Sequence, residues 1–124
     1  MKITNNKELQ KALKIWQKRL RLQDWKITAS FVHNYQLDGR IGQGTSNLKF
    51  KESHISIVHP DEVNPNCFGT TNPEDTLVHE LIHIHFIYTE PEKGIKPGSF
   101  QAFSLESAVD CLAVALVIAY NKEK

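Results

Sequence analysis

Apolar residues near the start of the chain recur every three or four positions, with lysines between them. They are Leu9, Leu13, Trp16 and Leu20. This spacing is typical of an amphipathic helix that buries one stripe, and the polar run at residues 4–6 supplies an N-cap. We therefore predict a first helix over residues 6–21, with its lysine row in solvent.

From Trp25 the period changes to two, which predicts a half-buried strand. The alternating apolar residues are Trp25, Ile27, Ala29 and Phe31. A second strand is predicted to begin with a bulge or bend at Gly42 and Gly44 and to include Leu48 and Phe50, which alternate with lysines. A third strand is predicted over residues 54–59, because a proline follows it.

Two more helices are predicted in the second half of the chain. The run Asn72-Pro73-Glu74-Asp75 combines an Asn N-cap, a proline at the first helical position and acids in the first turn. A helix therefore begins there and runs to about residue 88. Ser99 caps a last helix to about residue 120, whose apolar end at residues 112–120 predicts burial on most sides. The order of elements predicts a single α+β domain over residues 1–124.

Composition narrows the class of protein. The chain has 124 residues, of which 40% are hydrophobic and 23% charged, as in ordinary soluble domains. A formal charge of +1 gives no basic surface for nucleic acid. The longest uncharged apolar stretch, residues 111–120, is shorter than the roughly 20 residues of a membrane span, and no apolar run opens the chain. We expect a cytoplasmic monomer without nucleic-acid or membrane partners.

The pattern His-Glu-x-x-His lies one to two turns into the second predicted helix, as His79-Glu80-Leu81-Ile82-His83. Residues i and i+4 share a helix face, so both imidazoles can reach one metal ion. Glu80 projects toward the same edge and can meet a water on that metal. With only two cysteines in the chain, a cysteine-based structural zinc site is excluded.

A catalytic zinc ion needs a third protein ligand. No histidine follows His85, and His85 lies about 200° around the helix from His83, so we expect it to be an ordinary surface histidine. Downstream, Glu106 and Asp110 share one face of the last predicted helix, among apolar residues. Two acids there are costly unless compensated, for example by a metal and an imidazole N–H. The alternative interpretation is that both acids lie on the solvent-exposed face of that helix.

This order of motifs resembles the glutamate zinc metallopeptidases, or gluzincins. More closely, the chain resembles their small single-domain members, the minigluzincins, and related phage-type metallopeptidases. The likeness covers the element order from Trp25 to Tyr120 and the first helix. One departure is Leu105, since larger gluzincins often carry Asn before the ligand glutamate. The resemblance implies a minimal zincin fold, with an N-terminal helix, a three-stranded sheet, a motif helix and a C-terminal glutamate helix.

The resemblance further implies one Zn²⁺ held by His79, His83 and Glu106. It implies Glu80 as the general base that takes a proton from the attacking water, and Asp110 as the residue that orients His79. The expected activity is endopeptidase cleavage of peptide or protein substrates. Candidates for stabilising the oxyanion are Tyr88, Tyr120 and His59.

Three further expectations stay open at this point. The third predicted strand would form the edge above the metal that holds an extended peptide. Cys67 would be either a reversible zinc ligand or a free thiol. Instead of a peptidase, the chain would be a zincin-fold binding module with a structural or vestigial zinc, or a hydrolase of another substrate.

Overall fold

The computed structural model describes residues 1–63, 72–90 and 94–123. Within them the chain forms three α-helices and a three-stranded mixed sheet, which confirms the α+β class. The helices are α1 (Asn6–Arg19), α2 (Pro73–Phe86) and α3 (Phe100–Lys122). The strands are β1 (Lys26–Val32), β2 (Gly42–Asn47) and β3 (Glu52–Val58). Short 3₁₀ segments lie at Asn34–Leu37, Pro60–Glu62 and Ile87–Thr89.

The strand order in the sheet is β1-β3-β2, with β3 parallel to β1 and antiparallel to β2. Because β3 pairs on both sides, the prediction that the third strand forms an edge is wrong. The edge strands are β1 and β2, and β2 is the one beside the motif residues of α2. The second strand begins at Gly42, as predicted, but it ends at Asn47, before Leu48 and Phe50. Leu48 and Phe50 are exposed in the turn that joins β2 to β3.

The helix starts follow the predicted caps. Asn5, Asn72 and Ser99 each accept a hydrogen bond from a backbone N–H in the first turn of the helix that follows. One face of α1 is buried against the sheet and α2, as its apolar stripe predicts. Its buried residues are Leu9, Ala12, Leu13 and Trp16.

A buried carboxylate joins α1 to the start of α2. Glu74, in the first turn of α2, is 0% exposed, and its Oε2 accepts a hydrogen bond of 2.8 Å from Trp16 Nε1. Its Oε1 accepts one of 3.1 Å from Asn121 Nδ2 and lies 3.0 Å from the amino group of Met1. A buried carboxylate needs such partners, so Glu74 fixes α2 against both other helices.

Helix α3 differs from the prediction of burial on most sides. Its buried residues are Val109, Ala113, Val117 and Tyr120, which form a single stripe. Leu112 and Ile118, on the other side, are 48% and 50% exposed. In the described part of the chain, α3 is the one helix long and apolar enough to cross a membrane by length and composition alone. The sequence of α3 does not form one uninterrupted apolar run, because Glu106 and Asp110 lie within it.

Candidate metal centre

Helix α2 carries the motif residues beside its buried face. Leu77, Val78 and Leu81 are completely buried, which fixes the rotation of the helix about its axis. The motif residues His79, Glu80 and His83 are partly exposed at the edge of that face, and their ligand atoms lie within 4.8 Å of one another. The fold therefore brings the three predicted residues of the motif together.

Helix α3 packs against α2 and supplies the two predicted acids. Glu106 lies with Oε2 at 3.1 Å from His79 Nε2 and with Oε1 at 2.8 Å from His83 Nε2. The two Nε2 atoms are 3.2 Å apart. Asp110 Oδ1 lies 3.3 Å from the other ring nitrogen of His79, Nδ1. The four side chains thus form one cluster, with Glu106 facing both rings and Asp110 facing only His79.

The protonation of this cluster follows from its geometry. Burial alone lowers the pKa of His79, but the hydrogen bond with Glu106 and the carboxylates of Glu80, Glu106 and Asp110 outweigh it, so the pKa is raised. Conversely, hydrogen bonds from His79 and His83 hold the pKa of Glu106 far below its usual range. Without a metal, the carboxylates around His79 therefore favour its protonated form.

The donor atoms of these three residues fit a zinc ion. Ligands of a tetrahedral zinc at 2.0–2.1 Å are separated by about 3.3 Å. His79 Nε2 and His83 Nε2 lie 3.2 Å apart, and each has a different oxygen of Glu106 beside it, at 3.1 and 2.8 Å. These atoms need to separate by only a few tenths of an ångström to hold a tetrahedral zinc ion. If Nδ1 of His79 donates to Asp110, its Nε2 offers a lone pair toward Glu106 and His83, as a metal ligand must. Two imidazoles and a carboxylate are a donor set that suits zinc.

Two glycines of β2 lie beside Glu80. A Cβ added at Gly42 would lie 3.7 Å from Glu80 Cγ, and one at Gly44 would lie 3.9 Å from Glu80 Oε1. The carboxylate is thus held between the edge strand and the two histidines. Burial raises the pKa of Glu80, since the charged form is poorly solvated there. A raised pKa brings a carboxylate closer to what a general base needs near neutral pH.

A cleft of about 1020 Å³ opens over the cluster, between β2 on one side and α2 and α3 on the other. Gly42, Gln43 and Gly44 form its rim on the strand side. Sequence reasoning missed Arg40, which precedes β2 and lines the same cleft. Its one signal in the sequence is its place just before the glycines, and that signal is not distinctive.

The three oxyanion candidates lie outside the lining of this cleft. Tyr120 is buried against Trp16, with ring centroids 5.2 Å apart. His59 packs on Phe31 and accepts a hydrogen bond from the backbone N–H of Asp61. Tyr88 is exposed on the 3₁₀ turn after α2. Among the described residues, none of these three side chains lines the cleft over the histidines.

The other two titratable residues singled out in the sequence have different outcomes. His85 is exposed, and its Nε2 donates a hydrogen bond of 2.6 Å to the carbonyl oxygen of Leu20 at the end of α1. It is therefore the ordinary hydrogen-bonded histidine expected from its position on the helix. Cys67 lies outside the described residues.

Comparison of the chain with known protein families, with curated proteins and with solved structures finds no match. The cluster formed by α2 and α3 and the cleft above it are therefore the features that bear on function.

Proposed function

We propose that the protein is a zinc-dependent endopeptidase of the gluzincin type, with a minimal zincin fold. The observation that carries this proposal is the convergence of His79, His83 and Glu106 donor atoms from two helices, with Glu80 beside them. A simple ion pair of Glu106 with one histidine would not need a second imidazole at the same point.

Each side chain then has a separate task. His79, His83 and Glu106 would hold the zinc, and Asp110 would fix the ring of His79 through its Nδ1–H. Bound zinc supplies a Lewis acid that polarises the peptide carbonyl and lowers the pKa of water to about 7. Glu80, partly buried next to that point, would accept the proton of the attacking water and pass it to the leaving amine.

The edge strand supports a peptide as the substrate. One side of β2 pairs with β3, and no strand of the described residues pairs with its other side, which lies at the cleft beside Glu80. An extended peptide could pair with this free edge by main-chain hydrogen bonds, which is a common way of binding peptides. The small residues of β2 would leave the backbone of the peptide close to the catalytic group.

The first experiment is metal analysis of the purified protein. We expect about one zinc ion per chain, from one set of three ligands, and we expect His79→Ala to lose the metal. Full zinc occupancy in the His79→Ala variant would show that the ligands are assigned wrongly.

The second experiment tests the base. Glu80→Gln keeps the shape of the side chain but removes its basicity, so the variant should bind zinc and lose about 10² to 10⁴ in rate on an unfolded protein substrate. Glu52→Gln makes the same chemical change at the start of β3, outside the cleft lining, and should cleave like the wild type. If zinc-loaded wild type cleaves no peptide in a broad library, a binding module with structural zinc becomes the better account.

A further inference from the structure

The cleft is lined by several acidic side chains but by a single arginine among the described residues. Its acids are Asp75, Glu80, Glu90, Glu106 and Asp110. Arg40 is the one lysine or arginine in that lining. A single cationic side chain among acids is the group in this lining that could attract a negatively charged part of a substrate.

Hydrogen bonds to uncharged acceptors hold the guanidinium of Arg40, whose charge also partly offsets the rise in the pKa of Glu80. Its Nε donates to the carbonyl oxygen of Leu37 at 3.3 Å, and its Nη2 donates to Gln43 Oε1 at 3.4 Å. The backbone N–H of Arg40 also donates to Leu37 O, which closes the turn before β2. Among the described residues no acid lies within ion-pair distance of Arg40. Three of its five N–H donors thus remain for another acceptor.

Arg40 is also at the right distance from the reaction centre. The pairing of β2 with β3 continues one residue beyond the strand, since Val58 N donates to Ile41 O at 2.8 Å. Gly42, which contacts Glu80, follows Arg40 by two residues, or about 7 Å along an extended chain. A peptide paired with β2 would therefore pass Arg40 one or two residues from the bond beside Glu80.

The cleft does not end at Arg40. A second cavity, of about 430 Å³, shares Gly39, Arg40 and Ile41 with the first and continues toward Tyr35 and Val58. A substrate can therefore extend past the guanidinium instead of stopping at it.

We propose that Arg40 binds a carboxylate of the peptide substrate and so gives the enzyme a preference for acidic peptides. This inference rests on the proposed function. The carboxylate would come from an Asp or Glu side chain or from the free C-terminus, which share the planar geometry that a guanidinium binds through two parallel hydrogen bonds.

The test compares cleavage of matched peptides by wild type, Arg40→Gln and Arg40→Lys, all loaded with zinc. Peptide pairs that differ only in Glu against Gln, at each position around the cleaved bond, detect a side-chain carboxylate. Pairs with a free or an amidated C-terminus detect a terminal one. We expect kcat/KM to favour one acidic partner by about 10- to 100-fold, the range for a charge-assisted hydrogen bond.

The ratio of acidic to neutral kcat/KM is the decisive quantity. In Arg40→Gln it should fall to near one, while Arg40→Lys should keep part of it, because lysine retains the charge but not the fork. Lys49→Gln removes the same charge from the turn between β2 and β3 and should keep the full ratio. Thermal denaturation checks that each variant is folded.

Two outcomes would overturn the inference, and they are distinguishable. Equal cleavage of all the matched pairs by wild type, or an unchanged ratio in Arg40→Gln, removes the role of Arg40 but leaves the peptidase standing. No cleavage of any peptide by zinc-loaded wild type removes both proposals together.

Discussion

His79 Nδ1 lies 3.3 Å from Asp110 Oδ1, on the side of the ring opposite the nitrogen that faces Glu106. The two acids of α3 thus contact different nitrogens of one imidazole. If Glu106 binds zinc and Asp110 orients His79, as proposed, substitutions of the two acids should have different effects.

The first prediction compares those two acids. Glu106→Gln removes a charged ligand and should abolish tight zinc binding, whereas Asp110→Asn should weaken it by only about 10- to 100-fold. Zinc affinity measured by competition with a chelating dye checks both. His85→Gln, on the same helix as the motif but directed at Leu20, should bind zinc like the wild type. A larger loss in Asp110→Asn than in Glu106→Gln would make Asp110 the ligand.

The second prediction concerns the stability of the metal-free protein against pH. The raised pKa of His79 gives stability below its ordinary value of 6.5, which is lost as pH rises through the folded pKa. The raised pKa of Glu80 acts in the same direction above its ordinary value of 4.5. The lowered pKa of Glu106 opposes them only below pH 4.5, as that carboxylate becomes protonated. With a chelator present, the melting temperature should therefore fall as the pH rises above the ordinary pKa of histidine, 6.5.

Glu106→Gln provides the control for this pH dependence. It removes the hydrogen-bonded charge that raises the pKa of His79, so the fall in melting temperature should become smaller. Zinc affinity should change in the opposite direction and increase over the same pH range, because the metal competes with protons for the imidazoles. A metal-free protein that becomes more stable toward high pH would contradict the assignment of these charges.

The third prediction tests the close contact between β2 and α2. A Cβ at Gly42 would lie 2.6 Å from Thr76 Cγ2, so Gly42→Ala should destabilise the protein by about 1–3 kcal/mol in denaturant unfolding. Gly44→Ala is the matched control, since its Cβ meets Glu80 at an ordinary 3.9 Å. Adding Thr76→Ser removes the methyl group in the way and should restore most of the loss. No recovery in the double variant would place the strain elsewhere.

The fourth prediction concerns the buried carboxylate of Glu74. Trp16→Phe removes the indole N–H that donates to Glu74 Oε2 and should cost about 1–3 kcal/mol of unfolding free energy beyond the loss of ring area. Trp25→Phe makes the same change at another buried tryptophan, which has no hydrogen bond from its indole within the described residues. Equal losses in the two variants would show that the hydrogen bond to Glu74 contributes nothing.

The helices and the donor cluster could be predicted because their signals are local. The caps at Asn5, Asn72 and Ser99 mark three helix starts, and the i, i+4 spacing of His79 and His83 forces the imidazoles onto one face. That Glu106 would contact both rings could not be derived from spacing, since it depends on how α3 packs against α2.

The sheet was harder to predict because β2 has no apolar residue of its own. Its sequence, Gly-Gln-Gly-Thr-Ser-Asn, shows no hydrophobic alternation, and it is a strand because β3 pairs with it. Leu48 and Phe50 do alternate with lysines, but they belong to the turn. Likewise, the apolar end of α3 suggested burial all round, although the described residues cover only one stripe of it.

The contact between the glycines of β2 and Glu80 has a consequence for protein engineering. A designer who transferred only α2 and α3 to a new scaffold would carry over His79, His83 and Glu106. The transplant would leave behind β2, whose Gly42 and Gly44 lie beside the Glu80 side chain. Such a graft should bind zinc but hydrolyse peptides slowly, because β2 would be missing beside Glu80. The smallest unit to transfer would therefore be α2 and α3 together with β2.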